Sequence, residues 1–136
     1  MRPVREAIER FGLGDDFLKR WATLDAQDTI FVGTPEAMAF DAVRPMRRGL
    51  RMLRLFPRSV KPTTWAMQVL GRGAKRNVID VTEEQARVLA NGGECDVEAD
   101  ATDGFVLVRW QGFIVGVASY RRPHLKSQMP RYRPVD

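Results

Sequence analysis

Ten lysines and arginines fall between Arg44 and Arg76 with no aspartate or glutamate among them. They are Arg44, Arg47, Arg48, Arg51, Arg54, Arg58, Lys61, Arg72, Lys75 and Arg76. Such groups do one kind of chemistry well. Arginine grips phosphate through a planar fork, and lysine does so as a point charge. A 33-residue stretch of one sign repels itself unless an anion lies against it or its side chains diverge into water. The next stretch has the opposite sign: Asp80 to Asp103 holds eight acids and one base, Arg87. Charge sorted in this way is the footprint of a polyanionic partner.

Catalytic chemistry is poorly supplied. His124 is the only histidine, so no multi-histidine metal site exists. In a basic tail it reads as a solvated or phosphate-contacting side chain. Cys95 stands among Glu94, Asp96 and Glu98, which raise a thiol pKa and make a poor nucleophile. Asp96, Glu98, Asp100 and Asp103 lack the central glycine and terminal glutamate of a calcium loop, and read as a solvated acidic loop. Gly71-Arg72-Gly73 follows a helix rather than preceding one, so it fits neither nucleotide-binding glycine motif. It reads as a basic turn that exposes backbone N–H groups beside Arg72, Lys75 and Arg76, a place for one phosphate. No enzyme activity, metal or cofactor is expected.

Base-stacking aromatics are the second requirement of a nucleic-acid surface. Trp65 and Trp110 fall on apolar faces and read as core. Tyr120, next to Arg121 and Arg122, and Tyr132, between Arg131 and Arg133, are the better stacking candidates. Arg47, Arg48, Arg51 and Arg54 form either a further phosphate-facing group or a solvated face.

The elements that must carry these residues are partly legible. Pro3 opens a helix that buries Val4, Ile8 and Phe11 and stops at Gly12 and Gly14. Asp15 caps a short second helix burying Phe17, Leu18 and Trp21. Thr29 to Val32 is a strand, and residues 35–40 form a short helix. Residues 47–56 fit both one arginine-lined helical face and a strand with Gly49 at a bend. Pro57 closes the element either way. Pro62 opens a helix with Trp65, Ala66, Val69 and Leu70 on its apolar face and Gly71 after its end. Asn77 to Val81 is a strand, and Thr82 to Gln85 a capping box for a helix ending at Asn91-Gly92-Gly93. A short strand is expected near Cys95.

Residues 105–110 and 113–120 form a hairpin about Gln111-Gly112. The register expected pairs Trp110 with Phe113, Val108 with Val115 and Val106 with Val117, all on one core face. Gly116 and Ala118 leave room on the other face for the chain itself or a ligand.

A length of 136 residues suits about one domain, and 44% hydrophobic residues with three tryptophans and seven phenylalanines supply a core. The net charge of +5 and pI near 10 point to RNA, DNA or an anionic surface as partner. Arginines outnumber lysines by 18 to 4. The single cysteine fits a reducing, cytoplasmic setting. No signal peptide is visible, and the longest apolar run, near Phe113 to Ala118, is too short for a bilayer span.

Residues 61–93 read KPTTWAMQVLGRGAKRNVIDVTEEQARVLANGG, and residues 104–130 contain GFVLVRWQGFIVGVASY and then LKSQMP. This series resembles the PUA-like RNA-binding domain at the C-terminus of Sun/Fmu-type RNA cytosine-5 methyltransferases. It also resembles small stand-alone archaeal proteins built from a pre-PUA segment plus that module. The specific feature is the order: a K-P-T helix ending in Gly, N-V-I, a capped helix ending in Gly, a G-F-x-x-G hairpin, then L-K-x-x-x-P. The likeness covers about two-thirds of the chain, with the first 43 residues matching loosely.

The resemblance implies an α+β fold: a small mixed β-barrel with short helices over residues 59–136, preceded by a small α/β pre-PUA segment over residues 1–58. It implies binding of structured transfer or ribosomal RNA, accessory to RNA modification or ribosome biogenesis, with an RNA-modifying enzyme acting in trans. Lys61, Arg72, Lys75, Arg76 and Lys126 are expected on phosphates, Gly116 at a close approach of backbone or RNA, and Tyr120, Arg121, Arg122, Arg47, Arg48 and Arg51 around them. The chain departs from the methyltransferases in lacking a Gly-rich cofactor loop and a Pro-Cys pair of catalytic cysteines. The alternative is a protein-interaction adaptor whose basic surface docks an acidic partner, such as the 80–103 segment of a second copy.

Overall fold

Val4, Ala7 and Phe11 recur every three to four residues, and they bury one face of helix α1 (Arg2–Phe11), with Ile8 packed partly against the same core. Gly12 ends α1 at φ +59°, and the Leu13 N–H closes back onto the Ile8 carbonyl at 3.0 Å. The computed structural model describes residues 2–39 and 49–130. The expectations for Arg47, Arg48, Arg131, Tyr132 and Arg133 lie outside the described residues.

Helix α2 (Phe17–Arg20) buries Phe17, as expected, but leaves Leu18 exposed and Trp21 half-buried. Its cap position is Asp16 rather than Asp15, with no side-chain cap bond. Strands β1 (Ala22–Ala26), β2 (Thr29–Gly33), β3 (Leu50–Phe56) and β4 (Ser59–Pro62) form an antiparallel sheet in that order, with the short helix α3 (Pro35–Ala39) after β2. Leu50 to Phe56 is thus strand, not helix. Opposite Ile30 and Phe31 the register shifts by one residue, so Met52 and Leu53, neighbours in sequence, both enter the core. That bulge is what blurred the alternation. The expected boundary between residues 58 and 59 falls within the β3–β4 hairpin.

Helix α4 (Thr64–Leu70) lies against β3 and β8 (Phe113–Arg121) and buries Thr64, Ala66, Met67 and Leu70. Trp65 and Val69, expected in the core, point outward instead, 64% and 43% exposed. The inward stripe runs through Met67, and that turns the opposite side of the helix to solvent.

A 3-10 turn (Gly71–Gly73) leads to β5 (Val78–Asp80), α5 (Glu83–Ala90), β6 (Glu94–Asp96), β7 (Gly104–Trp110), β8 and β9 (His124–Ser127). The expected capping box is present: the Thr82 hydroxyl accepts from the Gln85 N–H at 3.2 Å, and the Gln85 side chain accepts from the Thr82 N–H at 2.9 Å. The second sheet has the order β5-β7-β8-β9-β6, with β5 parallel to β7 and the other pairs antiparallel.

The β7–β8 hairpin corrects the expected register. Trp110 does pair with Phe113, but a shift after Arg109–Ile114 sets Val108 opposite Gly116 and Val106 opposite Ala118. Nor do the apolar residues share one face. Leu107, Ile114 and Val117 join a core with α1, α4 and the first sheet, while Val106, Val108, Ala118 and Tyr120 join a second with Ile79, Leu89 and Leu125. A strand buried on both faces reads as a continuous apolar run, as Phe105 to Val108 does. The architecture is α+β, with two sheets and short helices. No described helix is long and apolar enough to cross a membrane.

Candidate nucleic-acid interface

The start of α4 is anchored to β3. Thr63 caps the helix by accepting from the Ala66 N–H at 3.4 Å, and its hydroxyl donates to the Arg51 carbonyl. Thr64 accepts from the Val117 N–H at 3.2 Å, which fixes the same turn to β8. Between these anchors Trp65 stands beside Arg51 and Arg54 of β3 and Lys61 of β4, in a cleft of about 400 Å³. Gln128 and Pro130 also line it, and the Gln128 N–H donates to the Val117 carbonyl at 2.9 Å. Among the described residues, three cations line this cleft and no acid does. Arg54 and Lys61 are direct cross-strand partners, and Arg54 also lies 5.7 Å from the Phe56 ring centre.

Lys75 and Arg76 line a separate, open cleft of about 680 Å³ together with Arg5, Glu9 and Asp15. Their backbone N–H groups both donate to the Phe11 carbonyl, at 2.9 and 3.2 Å, and the Ala74 N–H donates to Gly71 at 3.0 Å. The backbone N–H groups of Lys75 and Arg76 are therefore taken up by the end of α1 and that of Ala74 by the turn itself. Arg76 is further held by its guanidinium donating to the Glu9 carbonyl at 3.3 Å. Gly12 lets this contact close, since a Cβ there would sit 3.1 Å from the Lys75 Cβ. Arg72 is exposed at the end of α4, lining a third cleft with Arg20, Trp21 and Val69.

The remaining candidates are not brought together with these. Tyr120, expected as a stacking platform, is 1% exposed; its hydroxyl donates to the Val97 carbonyl at 2.8 Å and accepts from the Ala99 N–H at 3.2 Å. A tyrosine used this way has no face left for a base. The room beside Gly116 is filled by the chain's own Met129: an added Cβ would lie 2.6 Å from the Met129 Cγ. Arg121, Arg122 and Lys126 lie on or between β8 and β9 of the second sheet. Lys126 pairs across the sheet with Glu94, while Arg122 donates to the Ala99 carbonyl at 2.6 Å and lies 3.5 Å from Glu98. The segment after Arg121 is not a tail, since His124 to Ser127 forms a strand between β8 and β6.

Ion pairing follows the same division. Arg87 bonds Glu83 at 2.8 Å, and Arg109 bonds Asp80 through two contacts of 2.7 and 2.9 Å. That pairing holds the Asp80 carboxyl below its ordinary range and raises the Arg109 guanidinium. His124 sits between Asp96 at 3.1 Å and Glu94 at 3.3 Å, and hydrogen bonding to both raises its pKa, Asp96 contributing most. An imidazole clamped by two carboxylates is not a phosphate ligand. Arg51, Arg54, Lys61, Arg72, Lys75 and Arg76 form no ion pair with a described acid, and neither do Arg121 and Lys126 of the second sheet. Burial, then Asp96, pushes the half-buried Cys95 thiol up, against a nucleophilic role.

Trp65 is the residue that sequence reasoning misassigned. The signal was present: Trp65, Val69 and Arg72 are spaced i, i+4, i+7, a stripe opposite the one through Met67. No protein-family model matches the chain, and no curated protein matches it.

Proposed function

We propose that this chain is a non-catalytic RNA-binding protein that recognises structured transfer or ribosomal RNA, through a PUA-like barrel preceded by a pre-PUA segment. The observation that carries the reading is the separation of charge in three dimensions. After residue 80, Arg87, Arg109, Arg122 and His124 are matched by carboxylates, whereas Arg51, Arg54 and Lys61 line the cleft of the exposed Trp65 indole and form no ion pair with a described acid. Unmatched cations beside an aromatic face suit a phosphate backbone with accessible bases.

The resemblance gives the same direction. Two of its distant segments, Lys61-Pro62-Thr63 and the end of L-K-x-x-x-P at Gln128 and Pro130, meet in the Trp65 cleft. A cytoplasmic role beside an RNA-modifying enzyme in trans, or in ribosome biogenesis, follows from that likeness. The adaptor alternative loses ground because the acidic segment, its expected docking partner in a second copy, already engages Arg87, Arg109, Arg122 and His124.

The test is binding to transfer RNA, ribosomal RNA fragments and duplex DNA of matched length across a salt series. A preference for RNA with a steep salt slope is expected. Absence of RNA binding at low salt, or salt-sensitive self-association in its place, would remove the proposal.

A further inference from the structure

We infer that the cleft at Trp65 receives an unpaired nucleobase, stacked on the indole, with its flanking phosphates on Arg51, Arg54 and Lys61. The inference rests on the RNA-binding reading and adds what this cleft takes: a looped-out or single-stranded nucleotide rather than a paired one.

Three observations converge on this ligand. First, Trp65 is 64% exposed on the side of α4 opposite its buried Ala66, Met67 and Leu70, so a large apolar ring is presented to solvent. Second, the described residues that line the cleft of about 400 Å³ include three cations and no acid, which favours an occupant of negative charge. Third, Arg54 and Lys61 face each other directly across β3 and β4, an arrangement that is destabilising unless an anion lies between them.

A planar group joined to phosphates meets all three demands. Every base has a π-face, and stacking on an aromatic side chain tolerates any sequence. A paired base does not meet them. In an RNA duplex the bases are stacked on one another, and the deep groove is closed to side chains. The Gln128 side chain also lines the cleft, its amide nitrogen donating to the Ser119 hydroxyl at 3.4 Å and its carbonyl oxygen left for the edge of the base.

The test uses the whole chain and two probes of equal length, a short single-stranded oligoadenylate and a blunt RNA duplex. Trp65→Ala is expected to weaken oligoadenylate binding by roughly tenfold while leaving duplex binding and the salt slope unchanged. Trp65→Phe, which keeps a ring, should retain most of the affinity. Matching thermal midpoints for the two variants and the native chain exclude a folding defect. Native-like oligoadenylate binding by Trp65→Ala, with the native chain binding RNA, overturns this inference and leaves the RNA-binding reading standing. An equal loss on both probes also overturns it. If the native chain binds neither probe but binds transfer RNA, this inference is overturned and the RNA-binding reading stands; if it binds no RNA at low salt, both fall.

Discussion

Arg54 and Lys61 are cross-strand neighbours of the same sign, and no described acid forms an ion pair with either. Direct like-charge pairs weaken a hairpin, whereas opposite-charge pairs add about 0.2–1 kcal/mol. A protein that only had to fold would gain by replacing one of them. Arg54→Glu should therefore raise stability by up to about 1 kcal/mol, read from denaturant midpoints. The same variant should weaken RNA binding. Opposite signs on the two readouts are the mark of charge retained for a ligand; a loss of both assigns the pair a structural role.

His124 lies between Asp96 and Glu94, and with both ring nitrogens near carboxylates the protonated imidazole is the favoured form. Its folded pKa lies above the unfolded value of about 6.5. The stability this clamp adds is thus fully present below the unfolded pKa and is lost as pH rises through the folded one. As the only histidine, it gives an unambiguous proton NMR titration. The midpoint should lie above that of a free imidazole. Asp96→Asn should lower it, and Glu94→Gln should lower it less. A midpoint at the unperturbed value contradicts the clamp.

Tyr120 serves the fold rather than the ligand. Its hydroxyl satisfies the Val97 carbonyl and the Ala99 N–H, fastening the acidic segment over the second core. Tyr120→Phe should cost about 1–3 kcal/mol, because it removes the hydroxyl that bonds two part-buried backbone groups. RNA affinity of the folded variant should stay native. A stable Tyr120→Phe protein with weakened RNA binding returns the residue to the interface.

The local features of this fold were the legible ones. Thr82 and Gln85 state their capping box outright, and Val4 and Phe11 mark the inner face of α1. What failed was set by tertiary partners. Met52 enters the core beside Leu53 only because of the register shift at Ile30–Phe31, which no pattern in β3 announces. The β7–β8 register slipped for the same reason, and burial of both faces erased the alternation that would have fixed it. At the candidate site, charge located Lys61, Arg51, Arg72, Lys75 and Arg76 on surface clefts. The aromatic partner was chosen wrongly. Arginine neighbours made Tyr120 look exposed, yet adjacent residues on a strand face opposite ways, and Tyr120 turns inward beside exposed Arg121.

The central claim is that the cations of the Trp65 cleft, and not those of the second sheet, neutralise RNA phosphates. The most direct measurement is the salt dependence of transfer RNA binding for three proteins: the native chain, Arg51→Gln/Lys61→Gln and Arg121→Gln/Lys126→Gln. Each phosphate contact removed should lower the slope by about one, so the first variant should lose about two and the second none. Equal losses in the two variants, or a loss confined to the second, would contradict the account.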